Sequence, residues 1–113
     1  MTITSVSATS QDGGISNMAQ GSFTGDGNVT DVITGFVPRR VHLINITDRI
    51  EQIWHEGMAA THTLNRAADG VGTDNTGTLI APKGDGATDT FRGFEIAAAA
   101  AVNTKKYVWT AWG

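Results

Sequence analysis

The sequence predicts an all-β fold: an antiparallel β-sandwich or small barrel with Gly-rich loops and at most one short helix, near Ala97–Val102. Three observations carry this reading. Short runs rich in β-branched and aromatic residues recur along the chain, separated by clusters of Gly, Asn, Asp and Pro. Charged residues make up 17% of the chain, against about 25% in typical soluble domains, and 14 of its 113 residues are glycine. The longest β-rich run, Thr34–Gly57 (TGFVPRRVHLINITDRIEQIWHEG), alternates with period two rather than 3.6.

The elements follow in order. Met1–Gly14 alternates weakly and ends in Gln-Asp-Gly-Gly, which suits an N-terminal arm, either an edge strand or a segment ordered by a partner. A single β domain is expected over residues 15–113. Ile15–Thr24 reads as a strand, and Gly25-Asp26-Gly27-Asn28 as the turn into a returning strand, Val29–Thr34.

In the central run, Pro38 belongs at a strand start or edge because it has no amide hydrogen. Arg39–Ile46 and Arg49–Glu56 read as two strands folded back on each other. Val41, Leu43 and Asn45 then oppose His42, Ile44 and Ile46. Likewise Ile50, Gln52 and Trp54 oppose Glu51, Ile53 and His55. Both faces therefore carry apolar groups, which suits a sheet buried on one side and partly covered on the other by a further layer or subunit. A helix over Asp48–Met58 is the competing reading, since Ile50, Ile53, Trp54 and Met58 share a helical face and Asp48 can cap it.

Met58–Leu64 alternates again, and Asp69–Gly77 reads as a long polar loop. Thr78–Ala81 is a short strand ended by Pro82, Lys83–Thr88 a loop, and Phe91–Ile96 a strand. Ala97–Asn103 is too short to be a stable helix on propensity alone, so one or two helical turns or a close-packed bend is expected. Lys105–Trp112 is a last strand, with Tyr107, Trp109 and Ala111 opposite Val108, Thr110 and Trp112.

Composition narrows the function. Net charge is −3 and the first 38 residues hold no Lys or Arg, which disfavours a nucleic-acid partner. The chain has no Cys, which removes disulfides, thiolate metal sites and cysteine nucleophiles. The N-terminus lacks the basic and apolar regions of a signal peptide. No segment approaches the roughly 20 apolar residues of a membrane-spanning helix.

No constellation names a reaction. His42, His55, His62 and Glu56 invite a metal reading, but Trp54-His55-Glu56 has Ala59 where a zincin helix needs its second His. The Asp/Gly loops at Gly25–Asn28, Asp69–Gly77 and Gly84–Gly86 lack EF-hand order, and turn chemistry accounts for them. Gly70 and Gly72 begin a dinucleotide fingerprint that fails at Asn75. No Gly-x-Ser-x-Gly elbow occurs. The expectation is a non-enzyme without cofactor or metal. Trp54, Tyr107, Trp109 and Trp112 suit a core, a subunit interface or a sugar-stacking platform. With the basic pair Arg39 and Arg40, these aromatics are the candidate interface residues.

The runs GFVPRRVHLINITDRIEQIWHEGM and FRGFEIAAAAAVNTKKYVWTAWG, joined by a Gly/Thr/Asp loop, resemble small virion proteins of tailed bacteriophages. The likeness spans Thr34–Gly113. It implies a β-rich capsid decoration, or cement, protein. Such a protein is made in the host bacterial cytoplasm and carried on the capsid surface, where it bridges major capsid subunits. Its partners would be the major capsid protein and itself, as a homotrimer, with no nucleic acid and no membrane. The alternative is a receptor- or glycan-binding module of a tail fibre or baseplate.

Overall fold

The computed structural model describes residues 2–4, 9–10, 17–58, 62–75, 79–84 and 90–113. Their strands, in chain order, are β1 (Thr2–Thr4), β2 (Thr9–Ser10), β3 (Asn17–Thr24), β4 (Thr30–Ile33), β5 (Arg40–Asn45), β6 (Ile50–His55), β7 (Thr63–Arg66), β8 (Gly72–Asn75), β9 (Ile80–Lys83), β10 (Gly93–Ile96) and β11 (Lys106–Trp112). They form two sheets, ordered β1-β4-β10-β9 and β2-β3-β11-β5-β6-β7-β8. Every pairing is antiparallel except that of β1 with β4.

The sheets pack face to face as a β-sandwich. Alternation decides what goes inside. Tyr107, Trp109 and Ala111 of β11, Val41 and Leu43 of β5, and Ala19 of β3 point inward from the larger sheet. Val32, Ile80, Phe94 and Ile96 answer them from the smaller one. Phe94 meets Trp109 edge to face across the gap, with ring centroids 5.4 Å apart. Tyr107 stacks on Phe23, its cross-strand partner, at 5.0 Å. Each large apolar side chain enclosed here contributes about 1.5–3 kcal/mol.

The central hairpin forms because its turn residues bond one another. Asn45 Oδ1 accepts from the Asp48 amide (3.0 Å), and Asn45 Nδ2 donates to Asp48 Oδ2 (3.1 Å). Arg49 closes the turn in the left-handed region at φ 59°. β6 is a strand throughout its length, so the helical alternative over Asp48–Met58 is wrong. A helix would break its pairing on both sides, with β5 and with β7.

The turn at Gly25–Asn28 does not return the chain within one sheet, as the sequence suggests. It carries the chain from β3 in the larger sheet to β4 in the smaller. The Ala-rich stretch between β10 and β11 makes the reverse crossing beside it. Since β3 pairs with β11 and β4 with β10, the four strands are one long antiparallel ribbon folded over the end of the sandwich. Backbone bonds lock the corner: Gly25 N to Lys105 O (2.9 Å), Gly27 N to Ala101 O (2.9 Å) and Thr104 N to Gly25 O (3.0 Å). A single 3-10 turn, Ala98–Ala100, forms the bend, in line with the expected short helix or close-packed bend.

Other boundaries shift. The strand expected over Met58–Leu64 runs instead from Thr63 to Arg66; residues 59–61 lie outside the described set. Within the supposed loop at Asp69–Gly77, Gly72–Asn75 is β8, paired with β7. Of the strand expected over Thr78–Ala81, residues 76–78 lie outside the described set; β9 runs from Ile80 through Pro82, which is tolerated because β9 ends the described sheet. Within the N-terminal arm, Thr2–Thr4 lies beside β4 and Thr9–Ser10 beside β3. Residues 5–8 and 11–16, and the 85–89 part of the loop after Lys83, lie outside the described set.

Candidate interaction face

The candidate site is the outer face of the larger sheet, built by the residues that alternate with the core. Cross-strand register sets them in rows: Val108, Ile44, Glu51 and Arg66 in one, and Thr110, His42, Ile53 and Leu64 in the next. Ile44, Ile53 and Val108 are half-buried and Leu64 is exposed. Among the described residues no strand of the smaller sheet covers this side, because that sheet packs on the opposite one.

Glu51 is the electrostatic centre of the face. Its Oε1 lies 3.5 Å from His42 Nε2, and its Oε2 lies 3.6 Å from Arg66 Nη1. His42 Nε2 is buried and makes no hydrogen bond. Beside this cluster, Ile44, Ile46, Ala67 and Ala68 floor a shallow groove with Arg49, Glu51 and Arg66 on its rim. Ile46, in the turn just after β5, is 49% exposed.

The six candidate interface residues do not share one surface. Tyr107 and Trp109 are 3% and 2% exposed and belong to the core, a correction to their assignment as interface residues. Trp54 is half-buried on the inward side of β6, packed against the core, and lines a cleft with Val37, Pro38 and Pro82. Trp112 is half-buried on the outer face, with the Arg40 guanidinium 4.6 Å above its ring. Arg39 pairs with Glu56 (3.5 Å) in solvent at the sheet's end. A four-aromatic sugar platform is therefore not formed, and the accessible ring of Trp112 already carries a cation.

Elsewhere, Gln52 Oε1, Thr63 Oγ1 and Trp109 Nε1 are buried without a hydrogen-bond partner among the described residues. A small cleft at the sandwich's end is lined by Asn45, Asp48, Gln52 and Tyr107. Asn45 and Asp48 are committed to the hairpin turn, and Gln52 Nε2 donates to Asn65 Oδ1 (3.3 Å). Lys105 Nζ sits 3.3 Å from Asp48 Oδ1. Among the described residues, no three His, Asp or Glu side chains stand close enough to share a metal ion. No helix among them is long and apolar enough to cross a membrane.

Sequence reading did not single out Ile44, Ile46, Arg49, Glu51 and Arg66 as a site. The signal for it was the apolar content of both faces of the Arg39–Ile46 strand. No protein-family model matches the chain, and no curated protein or solved structure does.

Proposed function

We propose that this chain is a structural protein of a tailed-bacteriophage virion, a capsid decoration protein that docks on the outer shell and bridges capsid subunits. One observation carries the reading. The outer face of the larger sheet sets aliphatic side chains around a compact charged cluster, outside the core of this subunit. Such a face gains free energy when a partner removes it from water. The likeness of Thr34–Gly113 to small virion proteins supplies the class of partner.

The mechanism is mechanical. A sandwich that spans two capsid subunits adds contacts that internal pressure must break, and bound partners stabilise one another by mass action. Self-association, with a trimer as the expected form, would multiply the contacts each copy makes. Mass spectrometry of the virion that carries the chain tests the reading. A copy number in proportion to the capsid subunits supports it. A copy number matching a tail fibre or baseplate, or absence from the virion, overturns it.

A further inference from the structure

We infer that the outer face of the larger sheet docks an acidic protein segment, with carboxylates on Arg49 and Arg66 and aliphatic side chains over Ile44 and Ile46. This deepens the decoration reading and rests on it only for the partner's identity.

Charge distribution is the first argument. The chain is net −3 with 8 Lys and Arg. Four of these, Arg40, Arg49, Arg66 and Lys106, lie on this one face or its rim by strand alternation and groove lining. In the strand rows Glu51 is shared by Arg66 and His42; Asp69, between the groove-lining Ala68 and Gly70, accepts from the Val71 amide (3.0 Å), and the register of β8 sets Asp74 opposite Leu64. Arg40, Arg49 and Lys106 have no carboxylate partner among the described residues. On the opposite face of the sandwich Asp31 stands directly across from Glu95, with Lys83 3.7 Å from Glu95. Cations without a carboxylate partner thus gather on one face of an acidic chain, and such cations steer acidic partners.

Groove chemistry is the second argument, and it selects protein over nucleic acid. The floor is aliphatic, through Ile44, Ile46, Ala67 and Ala68, and offers no ring on which a base stacks. Trp112, the aromatic on this face, has Arg40 over its ring. Carboxylates spaced along a segment that also carries aliphatic groups match both the rim and the floor, and guanidinium groups are suited to carboxylates.

Amide-resolved NMR titration of the whole chain tests this, with a short blocked peptide of alternating Glu and Leu as the probe. The expected result is saturable shifts confined to Ile44, Ile46, Arg49 and residues 66–70, weakening as salt is added. Arg49→Gly keeps the positive φ accessible while removing the guanidinium, and Arg66→Ala removes the second. Each is expected to weaken binding about three- to fivefold, while Glu95→Gln on the far face leaves it unchanged. Three results overturn the inference: no shifts on this face, equal shifts with a Lys and Leu peptide, or stronger ones with oligothymidine. Self-association of the chain through the same residues also overturns it, in favour of a second copy as occupant. If the peptide fails while virions carry the chain in shell stoichiometry, decoration stands and this docking face falls.

Discussion

The indole of Trp109 lies directly over Gly21, its cross-strand partner, so closely that a Cβ on Gly21 would sit 2.9 Å from Trp109 Cζ2. The same ring makes a T-shaped contact with Phe94 of the facing sheet, centroids 5.4 Å apart. The indole is therefore packed against both sheets, and the missing side chain at position 21 leaves room for it inside the sandwich. Gly21→Ala is expected to destabilise by about 1–3 kcal/mol, the usual cost of overpacking. Urea denaturation should show a lower midpoint with unchanged slope. In a Trp109→Phe background the same substitution should cost less, because the smaller ring leaves room. A double-mutant cycle with no coupling would refute the account.

Phe94, the partner of Trp109 in the facing sheet, has no exposed surface. Phe94→Ala opens a cavity between the sheets beside Trp109. The expected loss is about 3–5 kcal/mol, read from thermal or urea unfolding. A loss below about 1 kcal/mol would mean that the two sheets do not depend on this contact.

Much of this core was legible in the sequence, and the reasons are specific. Tyr107, Trp109 and Ala111 alternate with Val108, Thr110 and Trp112, and Arg39–Ile46 and Arg49–Glu56 alternate on either side of a short break, so β5, β6 and β11 follow from local pattern. Which alternate set faces inward was not legible, because both sets contain apolar residues. That is why Trp109 and Trp112 were grouped although one is core and the other surface. The sheet crossing at Gly25 was also hidden. Asp26 and Asn28 signal a turn, and the Asn28 amide does donate to Asp26 Oδ1 (3.0 Å). Yet a turn's residues do not say whether the next strand joins the same sheet. The candidate face was the least visible part, since Arg49, Glu51 and Arg66 meet only through the β5–β6 turn and the register of β6 with β7.

The folded corner depends on the absence of a side chain at Gly25. A Cβ there would lie 2.2 Å from the Val102 carbonyl oxygen, a backbone atom that cannot swing aside. Gly25→Ala should therefore separate the β3–β4 crossing from the 101–105 segment and break the bonds from Gly25 and Thr104. Hydrogen exchange is the suitable readout: the Gly25, Gly27 and Thr104 amides should lose protection first. Unchanged protection at those amides would show that the corner tolerates a methyl group.

Turn chemistry in the β5–β6 hairpin separates two contributions at neighbouring residues. Asn45 is 6% exposed and makes both turn bonds with Asp48. Asn45→Ala should cost about 1–3 kcal/mol by leaving turn groups unpaired. Lys105→Met removes only the ion pair with Asp48, in which both side chains are about one-third exposed or more. It should cost less than about 1 kcal/mol and lose even that in high salt. Thermal melts of the two variants at low and high salt check both halves of the prediction.

Tyr107 sets an alkaline limit on stability. Burial pushes its hydroxyl above the ordinary tyrosine value, and Asp48 adds to the rise; the Val102 amide and Lys105 oppose it. The Val102 amide donates to the hydroxyl oxygen at 3.0 Å. The folded state thus holds the proton more tightly than the unfolded chain does. Stability from this group is complete below about pH 10, where unfolded tyrosine titrates, and is lost as pH rises through the higher folded value. Tyr107 is the sole tyrosine, so tyrosinate absorbance during an alkaline titration reports on it alone. The folded protein should ionise later than the urea-unfolded chain. Tyr107→Phe should lower stability near neutral pH, by about 1–3 kcal/mol if the Val102 amide finds no other acceptor. The variant should also lose less stability than the wild type between about pH 9 and pH 11. Parallel alkaline limbs for the two proteins would show that the buried hydroxyl is not the group being titrated.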